Sequence, residues 1–141
     1  MHYFKKTWKH YKAHNRKDIH KTVCTFCDKQ NLAKAVKETD TVYVIPNRVK
    51  YDMFEGLRVL DHLLVVPKEH RETVGVFTDK EKQEVMEIIG YYEAQGYHFF
   101  GRGKQSITRS VSHQHTHLIK VENKWPFVFM YLHKFNLLIS K

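Results

Sequence analysis

The apolar positions of this chain change period several times, and each change predicts an element. Residues 41–46 (TVYVIP) and 57–66 (LRVLDHLLVV) are β-branched or leucine-rich runs, the second closed by Pro67, and both predict strands. Thr78-Asp79-Lys80-Glu81 fits a capping box, after which Val85, Ile88, Ile89 and Tyr92 fall at helical spacing up to a stop at Gly96. Residues 97–101, 107–121 and 127–139 predict further strands, broken near Gly101-Arg102-Gly103 and at 123–126. Strands in succession around one inserted helix imply an α+β domain, an antiparallel sheet of about five strands with helices packed on it.

The first 21 residues follow a different pattern. They hold seven Lys or Arg (Lys5, Lys6, Lys9, Lys12, Arg16, Lys17, Lys21) against one Asp, so +6 of the net +9 sits here. Phe4, Trp8 and Tyr11 recur at spacings that share one face of a helix. Residues 1–21 therefore predict a basic, helical extension ahead of a domain over 22–141. Two readings stand: a helix docked by its aromatic stripe with its lysines in water, or an arm that holds nucleic acid through phosphate contacts and stacking.

Composition narrows the class. A chain of 141 residues, 42% hydrophobic and 28% charged, has the proportions of one globular domain and needs no disulfide scaffold. No apolar stretch approaches the length of a membrane span, and the start MHYFKKTWKHYK has no signal-peptide core, so the expectation is a cytoplasmic protein with no membrane partner. The two cysteines, Cys24 and Cys27, are spaced Cys-x-x-Cys. That pair suggests metal binding or redox use rather than a structural disulfide, the plain alternative being two buried free thiols.

Three of the eleven histidines stand in strict alternation at His113, His115 and His117. In an extended strand all three imidazoles share a face, with Gln114 and Thr116 on the other. The outer two would then lie about 13 Å apart at about 3.3 Å per residue, so one metal cannot take all three. A neutral imidazole is a good nucleophile towards phosphorus and leaves readily from a phospho-histidine, while flanking imidazoles can orient it and donate to developing charge.

The alternating histidines resemble the His-x-His-x-His signature of the histidine-triad (HIT) nucleotide hydrolases and transferases. Asp61-His62-Leu63-Leu64-Val65-Val66-Pro67-Lys68-Glu69-His70 is similar to the family's histidine, apolar strand and Pro-Lys-x-His segment. Cys24-Thr25-Phe26-Cys27 resembles the cysteine pair near the start of many bacterial members, and Ser110-Val111-Ser112 the Ser/Thr-Val-x ahead of the triad. All four occur in the family's order, over roughly residues 22–121.

This resemblance implies a HIT-like fold and a set of roles. His115 would attack the α-phosphate of a nucleotide, giving a covalent nucleotidyl-histidine that water resolves. His117 would bind a phosphate oxygen, and Ser110 the phosphate or leaving group. A structural zinc would be held by Cys24, Cys27, His62 and His113, a complete tetrahedral set with no position left for water. Asn47, Arg109 and Gln105 are the candidate substrate-binding residues. Arg109 stands where a glutamine is common, and either its guanidinium meets the phosphate or it points away and leaves Gln105 to act. The third histidine, where the uridylyltransferase branch has glutamine, favours hydrolase over transferase, and a homodimer is the family's common state.

Other departures are Gln114 and Thr116 in place of apolar residues, implying a wetter or partner-bound opposite face, and a segment from Asn47 to His62 longer than the usual turn. His70 reads as a pocket-wall residue or an exposed loop residue, His133 as a packed or edge histidine, and Trp125-Pro126 as a core or turn element, the alternative being part of a pocket or dimer contact. The expected function is hydrolysis of nucleotide conjugates, phosphoramidates or dinucleoside polyphosphates. The alternatives are the same chemistry on 5′-adenylated nucleic acid with residues 1–21 as clamp, and a non-enzymatic zinc-bearing nucleotide- or nucleic-acid-binding module.

Overall fold

The computed structural model describes residues 3–18, 24–28, 33–124, 129–133 and 136–140. Helix α1 spans Lys5–Asp18, strands β1 and β2 span Lys37–Glu38 and Val42–Pro46, and a short β3 (Met53–Phe54) leads into the long β4 (Leu57–Pro67). Helix α2 (Asp79–Glu93), β5 (Tyr97–Gly101) and β6 (Thr116–Val121) follow, then β7 (Phe129–His133) and β8 (Asn136–Ser140). The main sheet is antiparallel throughout, in the order β1-β2-β4-β6-β5, with β3 added to β4 as a sixth strand. Among the described residues no helix is long and apolar enough to cross a membrane.

Alternation along the strands divides the sheet into two faces. Val42, Val44, Leu63, Val65 and Leu118 point one way and pack with Phe77, Val85, Ile88, Ile89 and Tyr92. That face is closed by α2, whose apolar spacing is the one expected. Its start is also as expected: Thr78 Oγ1 accepts from Glu81 N at 3.1 Å, and Thr78 N donates to Glu81 Oε2 at 2.6 Å. Glu81 then accepts from Arg71 Nε at 3.1 Å, and the Arg71 carbonyl accepts the Gln114 amide at 2.6 Å, so the helix cap is tied to the backbone between the histidines. The opposite face carries Ile45, Leu64 and Val66 with Phe26, and Ile119 with Tyr51 and Val59. His62 and His117 occupy positions on this second face, in step with Leu64 and Ile119.

Two predicted strands need correction. The run 107–121 is a strand only from Thr116. Ahead of it the backbone spends its hydrogen bonds locally: Ser106 N reaches the Gly103 carbonyl, Arg109 N the Ser106 carbonyl, and the Arg109 guanidinium the carbonyls of Glu72, Val111 and Ser112. Groups satisfied in this way are not available to a ladder. The run 127–139 contains two strands rather than one, β7 and β8, paired antiparallel with His133 opposite Asn136. Trp125 and Pro126 lie outside the described residues, as do the side chain of His133 and its predicted packing.

The long segment between Asn47 and His62 is accounted for by the β3–β4 hairpin. Its turn has Glu55 at φ 50° and Gly56 at φ 81°, two successive left-handed residues that fit the right-handed twist of the flanking strands.

Candidate functional site

His113 and His115 immediately precede β6 and His117 lies within it. All three are buried, the first completely. Phe26 meets His113 and His115 edge-on at 5.9 and 5.0 Å, and His115 meets His117 at 5.0 Å. The imidazoles therefore share one side, as the alternation predicted, although only the last belongs to a strand.

Hydrogen bonding assigns the tautomer of each ring. His113 Nε2 lies 3.0 Å from the Pro67 carbonyl, which can only accept, so Nε2 carries the proton and Nδ1 keeps its lone pair. That lone pair faces Cys24 Sγ at 3.7 Å and Cys27 Sγ at 3.6 Å, and Cys27 Sγ lies 3.5 Å from His70 Nδ1. A tetrahedral zinc with ordinary Zn–S and Zn–N lengths separates its sulfur and nitrogen ligands by about 3.6 Å. The four donor atoms of Cys24, Cys27, His70 and His113 all lie within 4.8 Å of one another, so this set fits such an ion. Burial pushes the Cys27 thiol up to about 11, with Cys24 beside it adding to the effect, so a bound cation is what would favour its thiolate.

His62 is not in that group, which corrects its assignment as a zinc ligand. The reason is register. β4 runs antiparallel to β6 with His62 opposite Ile119 and Leu64 opposite His117, so moving back along β4 leads away from His113. The chain approaches His113 only after leaving the strand at Pro67, and His70 is the histidine it delivers there. His70 is exposed, as one reading of the loop expected, yet its ring lies 4.7 Å from that of His113.

His62 instead serves the other end of the triad. The Tyr51 backbone N–H donates to His62 Nδ1 at 3.3 Å, and the Asn47 amide nitrogen lies 3.2 Å from the same atom. The His62 proton is thereby placed on Nε2, which donates to His117 Nδ1 at 2.9 Å. His117 accepts there, so its own proton is on Nε2. Burial pushes His62 down to about 3 and His117 down to about 2, which keeps both rings neutral. His117 is further held between Phe100, stacked at 4.5 Å, and Tyr51 at 5.8 Å.

Between these ends stands His115. Its Nδ1 donates to the His113 carbonyl at 2.9 Å, leaving the lone pair on Nε2. Burial lowers its pKa too, so that lone pair is free of a proton at neutral pH.

His115 and His117 line a cavity of about 610 Å³ together with Asn47, Arg102, Arg109 and Ser110. Among the described residues, two buried side-chain polar atoms lack a partner, His117 Nε2 and Arg109 Nη1. Both are N–H donors on residues that line this cavity. Arg109 is thus placed at the site despite its three carbonyl bonds, and its charge helps hold the His115 pKa down after burial. Ser110 is exposed on the same wall. Gln105 is exposed and does not line the cavity, so the alternative that it replaces Arg109 finds no geometric support. Gln114 is buried rather than wet, and Thr116 is half-buried.

Helix α1 completes the cavity wall, which sequence reasoning did not anticipate. Tyr3, Trp8 and Tyr11 line it, and the inward-facing residues are Tyr3, just ahead of the helix, and Thr7 and Tyr11 on it; Phe4, placed in the stripe by spacing, is exposed.

No protein-family model and no curated protein matches the sequence. Solved structures do match in fold. A HIT family hydrolase from Clostridium thermocellum is 21% identical with a TM-score of 0.56, over 75% of this chain and 96% of that one. A histidine triad protein from Clostridium difficile is 24% identical with a TM-score of 0.54, over 76% and 96% of the two chains. A HIT family hydrolase from Legionella pneumophila Philadelphia 1 is 21% identical with a TM-score of 0.51, over 74% and 98%. The chain therefore has the fold of histidine-triad proteins, the fold its motifs implied.

Proposed function

We propose that the protein is a histidine-triad hydrolase that cleaves nucleotide conjugates through a nucleotidyl-histidine intermediate on His115. The observation that carries this reading is a set of residues lining one cavity: His115, whose Nε2 is bare, with His117 and Arg109, each of which carries a buried N–H donor that has no partner among the described residues. A buried donor without a partner is costly, on the order of 1–3 kcal/mol, and a phosphoryl oxygen would satisfy both.

In the reaction, His115 Nε2 attacks the α-phosphorus, a P–N bond forms, and the bond to the leaving group breaks with its electron pair, the leaving group taking up a proton. His117 Nε2–H and Arg109 Nη1–H donate to phosphoryl oxygens as charge builds on them, and Ser110 donates to the phosphate or leaving group. Water then attacks phosphorus, the P–N bond breaks, and His115 returns to its neutral form. The His62–His117 bond keeps the donor tautomer of His117 throughout. Asn47, by holding His62, positions this relay and borders the cavity.

Cys24, Cys27, His70 and His113 would hold a zinc ion. With four protein ligands it would supply structure rather than a reacting water, and would fix His113 and hence the carbonyl that orients His115. The ligand is a nucleotide conjugate, and the cytoplasm is the compartment in which a reduced Cys-x-x-Cys would persist.

The test is turnover across a panel of AMP and GMP phosphoramidates and dinucleoside polyphosphates. The expected result is hydrolysis of at least one member, lost by at least about 10³-fold in His115→Ala. Ligand binding without turnover in the wild type, unchanged in that variant, would replace this reading with the non-enzymatic binding module.

A further inference from the structure

The segment that carries His113 and His115 lies outside the sheet. Pairing of β6 with β4 and with β5 begins at Thr116, so neither ladder includes residues 113–115. Yet this segment holds the proposed nucleophile, whose Nε2 must stay in place while a P–N bond forms and breaks. Its backbone is held from another quarter: Gln114 N, between the two histidines, donates to the Arg71 carbonyl at 2.6 Å. The Gln114 side chain is buried, and its Nε2 lies 3.4 Å from the position a β-carbon on Gly101 would take, so it packs on the bare backbone at the end of β5.

Arg71 belongs to the irregular connection between β4 and α2, and its side chain is what ties that connection down. Arg71 Nε donates to Glu81 Oε1 at 3.1 Å, and the other carboxylate oxygen, Oε2, accepts from Thr78 N at 2.6 Å. Glu81 is only 2% exposed and stands in the first turn of α2, whose Val85, Ile88 and Ile89 are packed into the core. A line of contacts therefore runs from the helix through Glu81, Arg71 and Gln114 to His115. Neither Arg71 nor Glu81 lines the cavity or belongs to the group of metal-ligating side chains. Replacing a buried ion pair by apolar residues is often neutral for stability, so the pair's contribution here is better sought in the direction it gives the backbone.

We propose that Arg71 and Glu81 are positioning residues of the triad: their ion pair holds the Arg71 carbonyl against the Gln114 N–H and so keeps His115 aligned on the phosphorus. The polar Gln114 belongs to the same anchorage, set between Arg71 and Gly101. This rests on His115 being the nucleophile proposed above.

The experiment compares the full chain with Arg71→Met, Glu81→Gln, both together, and Thr78→Ala. The substrate is whichever of an AMP phosphoramidate and a diadenosine polyphosphate the wild type turns over faster, and zinc content and melting temperature are measured alongside. Arg71→Met leaves Glu81 buried without its cation and should lower the melting temperature. It should also lower kcat and kcat/KM equally, by about 10-fold, with zinc retained. Glu81→Gln keeps an acceptor for the Thr78 amide, so the double variant removes the pair without stranding a charge. Its melting temperature should return towards that of the wild type while kcat stays about 10-fold low, whereas a purely structural pair would recover both together. Thr78→Ala weakens the same helix cap without touching Arg71, and should lower the melting temperature at unchanged kcat. A double variant with wild-type kcat, a loss confined to KM, or zinc lost in Arg71→Met would overturn the inference alone. Failure of the wild type to hydrolyse any conjugate would overturn the proposed function, and this inference with it.

Discussion

The two ends of the triad are built from the same residue type and do opposite things. At one end His113 turns its lone pair to two thiols beside a second imidazole, because its Nε2–H donates to the Pro67 carbonyl. At the other end His117, which lines the cavity, keeps an unpartnered N–H on Nε2, because its Nδ1 accepts a hydrogen bond from His62 Nε2–H. The hydrogen-bond partner on the distal nitrogen decides whether an imidazole becomes a ligand or a donor. His115, between them, is left with its lone pair on Nε2 by the same device, since its Nδ1–H donates to the His113 carbonyl, and that bare Nε2 is the nucleophile proposed.

The sharpest way to break this comparison is to exchange the partners. His70→Ala should abolish retention of zinc through gel filtration and lower the melting temperature, whereas His62→Asn should leave the zinc content at the wild-type level; elemental analysis reads both. Zinc lost with His62 and kept without His70 would reverse the assignment of the two ends.

His117→Ala removes the donor itself and should lower kcat by about 10²–10³-fold with zinc retained. His62→Asn, which only loosens the tautomer, should cost about 10-fold, the worth of one hydrogen bond. Equal losses would mean that His62 acts on the substrate directly.

A smaller effect concerns stability. With burial holding His62 near 3 against an ordinary 6.5, the unfolded chain takes up a proton that the folded chain refuses across that interval. Stability should thus be complete above pH about 6.5 and fall as pH drops towards 3, by on the order of a few kcal/mol for this group. In His62→Asn the difference from wild type should shrink as pH falls through that window, measured by urea unfolding; a constant difference would contradict it. The smallest effect lies on the far face of the sheet, where Thr78→Ala should cost about 1 kcal/mol of stability through the lost helix cap.

The contrast also shows what the sequence could disclose. Helix α2 was legible from Thr78, Glu81 and its apolar spacing because its signals are local. The triad was legible because alternation is a property of neighbours. His70 was missed in favour of His62 because its contact with His113 spans 43 residues and depends on β4 ending at Pro67. The strand expected over 107–115 failed because Arg109 binds backbone carbonyls that propensity assigns to a ladder. The helical arm was anticipated but not its register, since Asp52 and Tyr51, not hydrophobicity, decide that Tyr3 rather than Phe4 faces inward.

The proposed reaction stands or falls on a covalent intermediate at His115. Acid-labile adducts should be trapped by rapid quenching into base during turnover of a nucleotide conjugate, and mapped by peptide mass spectrometry. A nucleoside-monophosphate mass shift should appear on the peptide containing His115, carried by that residue and absent in His115→Ala. Turnover by the wild type with an adduct on another residue, or undiminished turnover by His115→Ala, would contradict it.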